Sequence, residues 1–264
     1  MNHRFKIHRP RTRLSLLVIG LFLFSGADSP TERPAATSPQ GDAPPYFERL
    51  IEAGNVSFEY HDPKTFEAGD GGVAWFDVRV RHRFRYSYRS TRQNDGRRLV
   101  VITPKIRRTT IDVRHVVTLP FSYDNPEKWK TRLVRHEFDH VAVSTDSRAY
   151  LLVEHLIHHL GTLRRTLAAG PEPEAAWLNG VIGEEINKRR DAVEELIRAN
   201  YRLLDDVSRH GRRRIPDRQA FFHGLYTREN LEKMAFPYLS EAEDLLKTDK
   251  YRNAPLFYND EPNF

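Results

Sequence analysis

The pentapeptide His136-Glu137-Phe138-Asp139-His140 sets two imidazoles four residues apart with a carboxylate next to the first. On a helix, side chains at that spacing project from one face. Imidazole nitrogens bind zinc at about 2.0–2.1 Å, so two rings one turn apart can converge on one ion. Glu137 is rotated by about 100° from His136 around the helix axis. It therefore reaches past the ion to metal-bound water, where it can take a proton as general base. The alternative is an amphipathic helix with two incidental histidines, in a chain that has 12. Trp129, Leu133, His136 and His140 share a helical face, which puts the histidines on the inward stripe. Buried imidazoles without a partner are costly, and that weighs for a Zn2+ site with Glu137 as the catalytic base.

A third ligand has to come from another element. Helical patterning runs over residues 126–163, breaks at Gly170-Pro171, and resumes over residues 174–210 with Gly211 at the C-cap position. Two such arms joined by a short link pair antiparallel. Centred near residue 167, they set residues near 194–198 opposite the motif, to within a turn or two. Glu194, Glu195, Asp205, Asp206 and His210 come within range. Val193, Leu196, Asn200, Leu203, Val207 and His210 recur in alternating steps of three and four, so the inward stripe ends on His210. His210 is the metal ligand this stripe selects. Asp205, which a regular helix turns away, Asp206 and Glu195 are the alternatives. An oxyanion stabiliser is expected as well, and Tyr201, His223 and Tyr226 are available.

The elements before the motif are β. From Trp75 to Arg89 apolar and polar residues alternate, the period of a half-buried strand. Asn94-Asp95-Gly96 is a hairpin turn signal, and residues 99–102 and 111–119 supply further strands. The arginines of the alternation, Arg79, Arg81, Arg83 and Arg85, lie on the wet face; binding of a polyanion is the alternative use of that row. The expected fold class is α+β: an antiparallel β-sheet followed by a long antiparallel helical hairpin that carries the motif.

Composition narrows the setting. The net charge of +6 contains five cations within the first 13 residues, and without them 37 basic residues face 36 acidic ones. Bulk charge then gives no case for nucleic-acid binding. Those five cations precede an apolar run over residues 14–24 and Ser25-Gly26-Ala27, the order of a secretory signal peptide. An uncleaved N-terminal anchor is the alternative and the one membrane link the sequence offers. Residues 28–45 read as a Pro-rich linker, residues 46–215 as the metallopeptidase domain, and residues 216–264 as a C-terminal extension packing on it. The chain has no cysteine, so an exported fold must rely on its core or a metal.

The motifs resemble a known family. Leu119-Pro120 ends a strand, Trp129 follows shortly before His136–His140, and Leu204-Asp205-Asp206-Val207-Ser208-Arg209-His210-Gly211 matches a Tyr-Asp-x-x-Thr-x-His-Gly pattern. Over residues 46–215 the chain resembles the family of predicted secreted bacterial Zn-dependent proteases. Leu204 and Ser208 depart from that pattern, while Asp205, His210 and Gly211 keep it. The resemblance implies a zincin-like fold, a peptide or protein substrate, a secreted or envelope location, and a site completed by His210, with Asp205 beside it.

Overall fold

A computed structural model describes residues 43–65 and 71–257. The export-type segment and the linker before residue 43 lie outside the described residues. The chain enters through α1 (Pro45–Gly54), which buries Tyr46, Phe47, Leu50 and Ile51. It then forms β1 (Val56–His61), β2 (Val73–Arg92) and β3 (Arg98–Pro120).

The long β2–β3 hairpin follows from the alternation in its sequence. Phe76 and Val78 of β2, with Val100, Ile102 and Val117 of β3, are buried, while Arg79, Arg81, Arg83 and Arg85 are exposed. Gly96 closes the turn at φ 82°, which a side chain would disfavour. A bulge falls between Arg83 and Phe84. Beside it Arg83 lies opposite Arg108, and Arg85 opposite Lys105.

The sheet is mixed, which corrects the antiparallel expectation. β1 pairs parallel with β3, from Val56 opposite His115 to His61 opposite Pro120. It reaches β3 rather than its sequence neighbour β2, and no local turn signal announces such a crossover. The strand order is β1-β3-β2, and β4 (Leu163–Leu167) pairs antiparallel with the start of β3.

The helical hairpin is corrected too. Its second arm is present as α4 (Ala175–Ser208), one helix of 34 residues. The first arm is broken. Pro126–Lys130 is a 3-10 turn, followed by α2 (Arg132–Ser144) and α3 (Ser147–His158). Capping explains the breaks. Thr131 accepts from the Val134 N–H to open α2, and Asp146 accepts from the Arg148 N–H to open α3. Trp129 therefore lies in a separate turn from the histidines. Its ring packs with Phe47, Phe58 and Phe138 at the centre of the core. α2 runs antiparallel to the end of α4, with Ser144 meeting Tyr201 and His136 meeting Asp205.

Four short helices follow: α5 (Arg218–Leu225), α6 (Arg228–Lys233), α7 (Leu239–Leu246) and α8 (Asp249–Arg252). They dock through Phe222, Leu225, Tyr226 and Leu231, all buried. A buried ion pair ties them to α3. Arg148 bonds Asp146 at 2.7 Å and donates to the carbonyls of Phe222 and His223, both at 2.8 Å. Asp146→Asn keeps a good capping side chain but strands the Arg148 guanidinium. It should cost about 3–5 kcal/mol in urea denaturation; a loss below about 1 kcal/mol would mean that the pair does not hold this extension.

Candidate metal centre

Phe138 anchors α2 in the aromatic core, which turns His136 and His140 toward α4. Both histidines are buried, as is Glu137. Across from them α4 presents Tyr201, Asp205 and Ser208, spaced four and three apart. The Tyr201 ring lies 4.4 Å from the His140 ring. Asp205 Oδ1 sits 3.1 Å from His136 Nε2 and 3.1 Å from His140 Nε2. Ser208 Oγ is 3.4 Å from His136 Nδ1.

His136, His140 and Asp205 thus form a group whose donor atoms all lie within 4.8 Å of one another, close enough to hold one metal ion. Adjacent ligand atoms around a tetrahedral ion bonded at about 2.0–2.2 Å are about 3.3–3.5 Å apart. The observed 3.1 Å separations fit with a small outward shift. The electrostatics point the same way. Burial alone would raise the Asp205 carboxyl, but hydrogen bonds and charge attraction from the two histidines hold it well below the usual carboxylate range. Burial lowers His136, and its bond to Asp205 with the Glu137 and Asp205 charges more than offsets this, so its proton affinity is raised. A carboxylate gathering positive charge onto two buried imidazoles is a place where a cation is favoured.

Asp205 occupies the place for which the inward stripe selects His210. The buried residues of α4 run Val193, Leu196, Ile197, Asn200, Leu204 and Ser208, so the stripe drifts one residue from Leu203 and Val207. That drift turns Asp205 toward α2. The helix also stops at Ser208. Arg209, His210 and Gly211 all take positive φ, and the His210 N–H bonds the Asp205 carbonyl at 2.8 Å. This reversal swings the His210 side chain out; it is 79% exposed, with Nδ1 3.7 Å from Asp205 Oδ1. His210 borders the cleft over the centre without joining the three-residue group. Asp206 is exposed, and Glu195 is engaged by Arg202 at 2.8 Å.

Glu137 stands beside the group and outside it. Burial raises its carboxyl, and the Ala74 N–H donates to it. Gly72 lets the β2 backbone come this near, since a Cβ there would lie 2.9 Å from Glu137 Oε1. Gly211 does the same on the other side, where a Cβ would meet His136 Cβ and Cγ at 2.8 Å.

No family model, curated protein or solved structure matches this chain.

A cleft of about 1110 Å³ opens over these residues, bordered also by Tyr123, Arg132, Leu133 and Arg212. Of the three oxyanion candidates, Tyr201 borders it, but its hydroxyl donates to Ser144 Oγ at 2.9 Å. Tyr226 is buried elsewhere, donating to the Val143 carbonyl at 2.8 Å. His223 is absent from the cleft lining.

A buried polar chain backs the centre. His115 Nδ1 lies 2.6 Å from the Gly54 carbonyl, and its Nε2 2.5 Å from Ser144 Oγ. Burial, partly offset by the Gly54 bond, pushes His115 down to about 4, so the ring is neutral. A carbonyl only accepts, so Nδ1 carries the hydrogen and Ser144 donates to Nε2. Tyr201 in turn donates to Ser144, which fixes the ring that covers His140. Sequence reasoning passed over His115 because it sits mid-strand with no motif around it.

Two measurements follow. Gly211→Ala should weaken metal binding about 10–100-fold in a chelator competition, because His136 must move; unchanged affinity would refute the contact. The second concerns pH. Unfolded His115 titrates near 6.5 and folded His115 near 4, so its stabilisation is complete above 6.5 and lost as pH falls toward 4. In metal-free urea titrations, wild type should lose about 3 kcal/mol more than His115→Gln between pH 7 and pH 4. Parallel profiles would show that His115 is not buried neutral.

Proposed function

We propose that the chain is an exported zinc metallopeptidase acting on peptide or protein substrates. The observation that carries this reading is the convergence of two imidazole nitrogens and one carboxylate oxygen beside a buried glutamate that is not one of the three. His136, His140 and Asp205 would hold Zn2+, an ion that accepts nitrogen and oxygen donors together. Three protein ligands leave one position for water or substrate, as catalytic sites do; structural sites are closed by four. A bound zinc ion supplies the Lewis acidity that polarises a carbonyl and makes water acidic.

Glu137 is suited to moving a proton there. Its burial raises the carboxyl's proton affinity, toward the range where it can accept a proton and pass it on. The Ala74 N–H keeps it oriented. The start of β2 borders the cleft at Val73 and Ala74, and β2 pairs only with β3 among the described residues. Its outer edge can therefore receive an extended peptide as an added strand. Export rests on the basic and apolar order of the first 27 residues. Among the described residues no helix is long and apolar enough to cross a membrane.

Metal analysis with a peptidase assay tests the reading. Wild type should bind one zinc, His136→Ala and Asp205→Ala should lose it, and His210→Ala should keep it. Glu137→Gln should retain zinc while hydrolysis falls by about 10²–10⁴-fold. A purified chain without zinc affinity, or equal hydrolysis by wild type and Glu137→Gln, would falsify it.

A further inference from the structure

The mouth of the cleft is cationic in a way that the metal centre does not explain. The carboxylates that line the cleft are Glu137 and Asp205, both engaged at its floor. Arg132 and Arg212 line its mouth, both exposed, and neither has an ion-pair partner among the described residues.

Arg132 is placed against its own helix. It is the first residue of α2, whose first turn holds no acid. A cation at that end opposes the helix dipole, so the position brings no gain in helix stability. Its guanidinium is nevertheless fixed, because Nη1 donates to the Arg212 carbonyl at 2.6 Å. Its remaining donors have no protein acceptor among the described residues.

Arg212 is fixed as well. Its loop is tied to the end of α4 by the Arg213 N–H to the Ser208 carbonyl at 2.7 Å and the Gly211 N–H to Ser208 Oγ at 3.1 Å. Gly211 packs on His136, which keeps the loop beside the centre. Two guanidinium groups held at one mouth suit a carboxylate, which they can grip through paired N–H donors. An anion there also meets the favourable end of the α2 dipole.

We propose that this cleft takes peptides bearing a carboxylate, from an acidic side chain or a free C terminus, seated between Arg132 and Arg212. The inference rests on the peptidase reading and narrows its substrate. The test uses dye-labelled peptides in matched glutamate and glutamine pairs, each with a free or an amidated C terminus. They are titrated by fluorescence anisotropy into the full-length Glu137→Gln protein, which leaves them uncut. Carboxylate-bearing peptides should bind about tenfold more tightly, and Arg132→Gln or Arg212→Gln should erase that margin. Both substitutions remove exposed side chains and keep the Arg212 carbonyl. The free and amidated arms show which carboxylate is recognised. Equal binding of the glutamine peptides, or a preference that survives both substitutions, overturns the proposal. Cleavage of all peptides by wild type without preference would sink this inference and spare the peptidase reading; a preference in binding with no cleavage would do the opposite.

Discussion

One carboxylate oxygen shared by two buried imidazoles governs this structure. Asp205 Oδ1 faces His136 Nε2 and His140 Nε2 at equal distance, and all three groups sit where water is scarce. Such a cluster is costly unless positive charge fills the space between its members. The downward shift of Asp205 and the upward shift of His136 express the same demand. A divalent ion meets it with three bonds, and the surrounding elements keep the three atoms from spreading apart.

That restraint comes from two sides and from behind. β2 leans on Glu137 through Gly72, and the loop after α4 leans on His136 through Gly211. Behind them, Gly54, His115, Ser144 and Tyr201 form a chain of hydrogen bonds that ends on the ring covering His140. The aromatic group of Phe47, Phe58, Trp129 and Phe138 fixes the rotation of α2 from its far side. Local backbone chemistry and core packing thus act on the same few atoms, which is how a site is held to its working geometry.

Much of this was legible in the sequence where periodicity and spacing are strong. The histidine pair, the place of Glu137 outside the ligand group, the long hairpin with its turn at Asn94-Asp95-Gly96, and the extent of α4 follow from residue order alone. The third ligand was not legible from the stripe, for two physical reasons. A buried stripe on a straight helix drifts against a 3.5-residue repeat, and over α4 that drift moved the inward face from Leu203 to Leu204. The left-handed cap at Arg209 and His210 then removed the residue on which the repeat ended. The parallel pairing of β1 and the strand at Leu163–Leu167 were hidden too, because both depend on partners distant in sequence. His115 was silent for the same reason: its partners, Gly54 and Ser144, are 61 and 29 residues away.

The centre is drawn from segments that meet late along the chain. The contacts of Asp205 with His136 and His140 span 69 and 65 residues. Contacts that close long loops form slowly, after local structure has condensed. A ribosome that has released only the first 200 residues has made both histidines and the glutamate, but not their carboxylate. During synthesis and early collapse the chain therefore lacks its complete ion-binding group. Capture of the ion would mark the last stage of maturation and draw the equilibrium toward the finished fold.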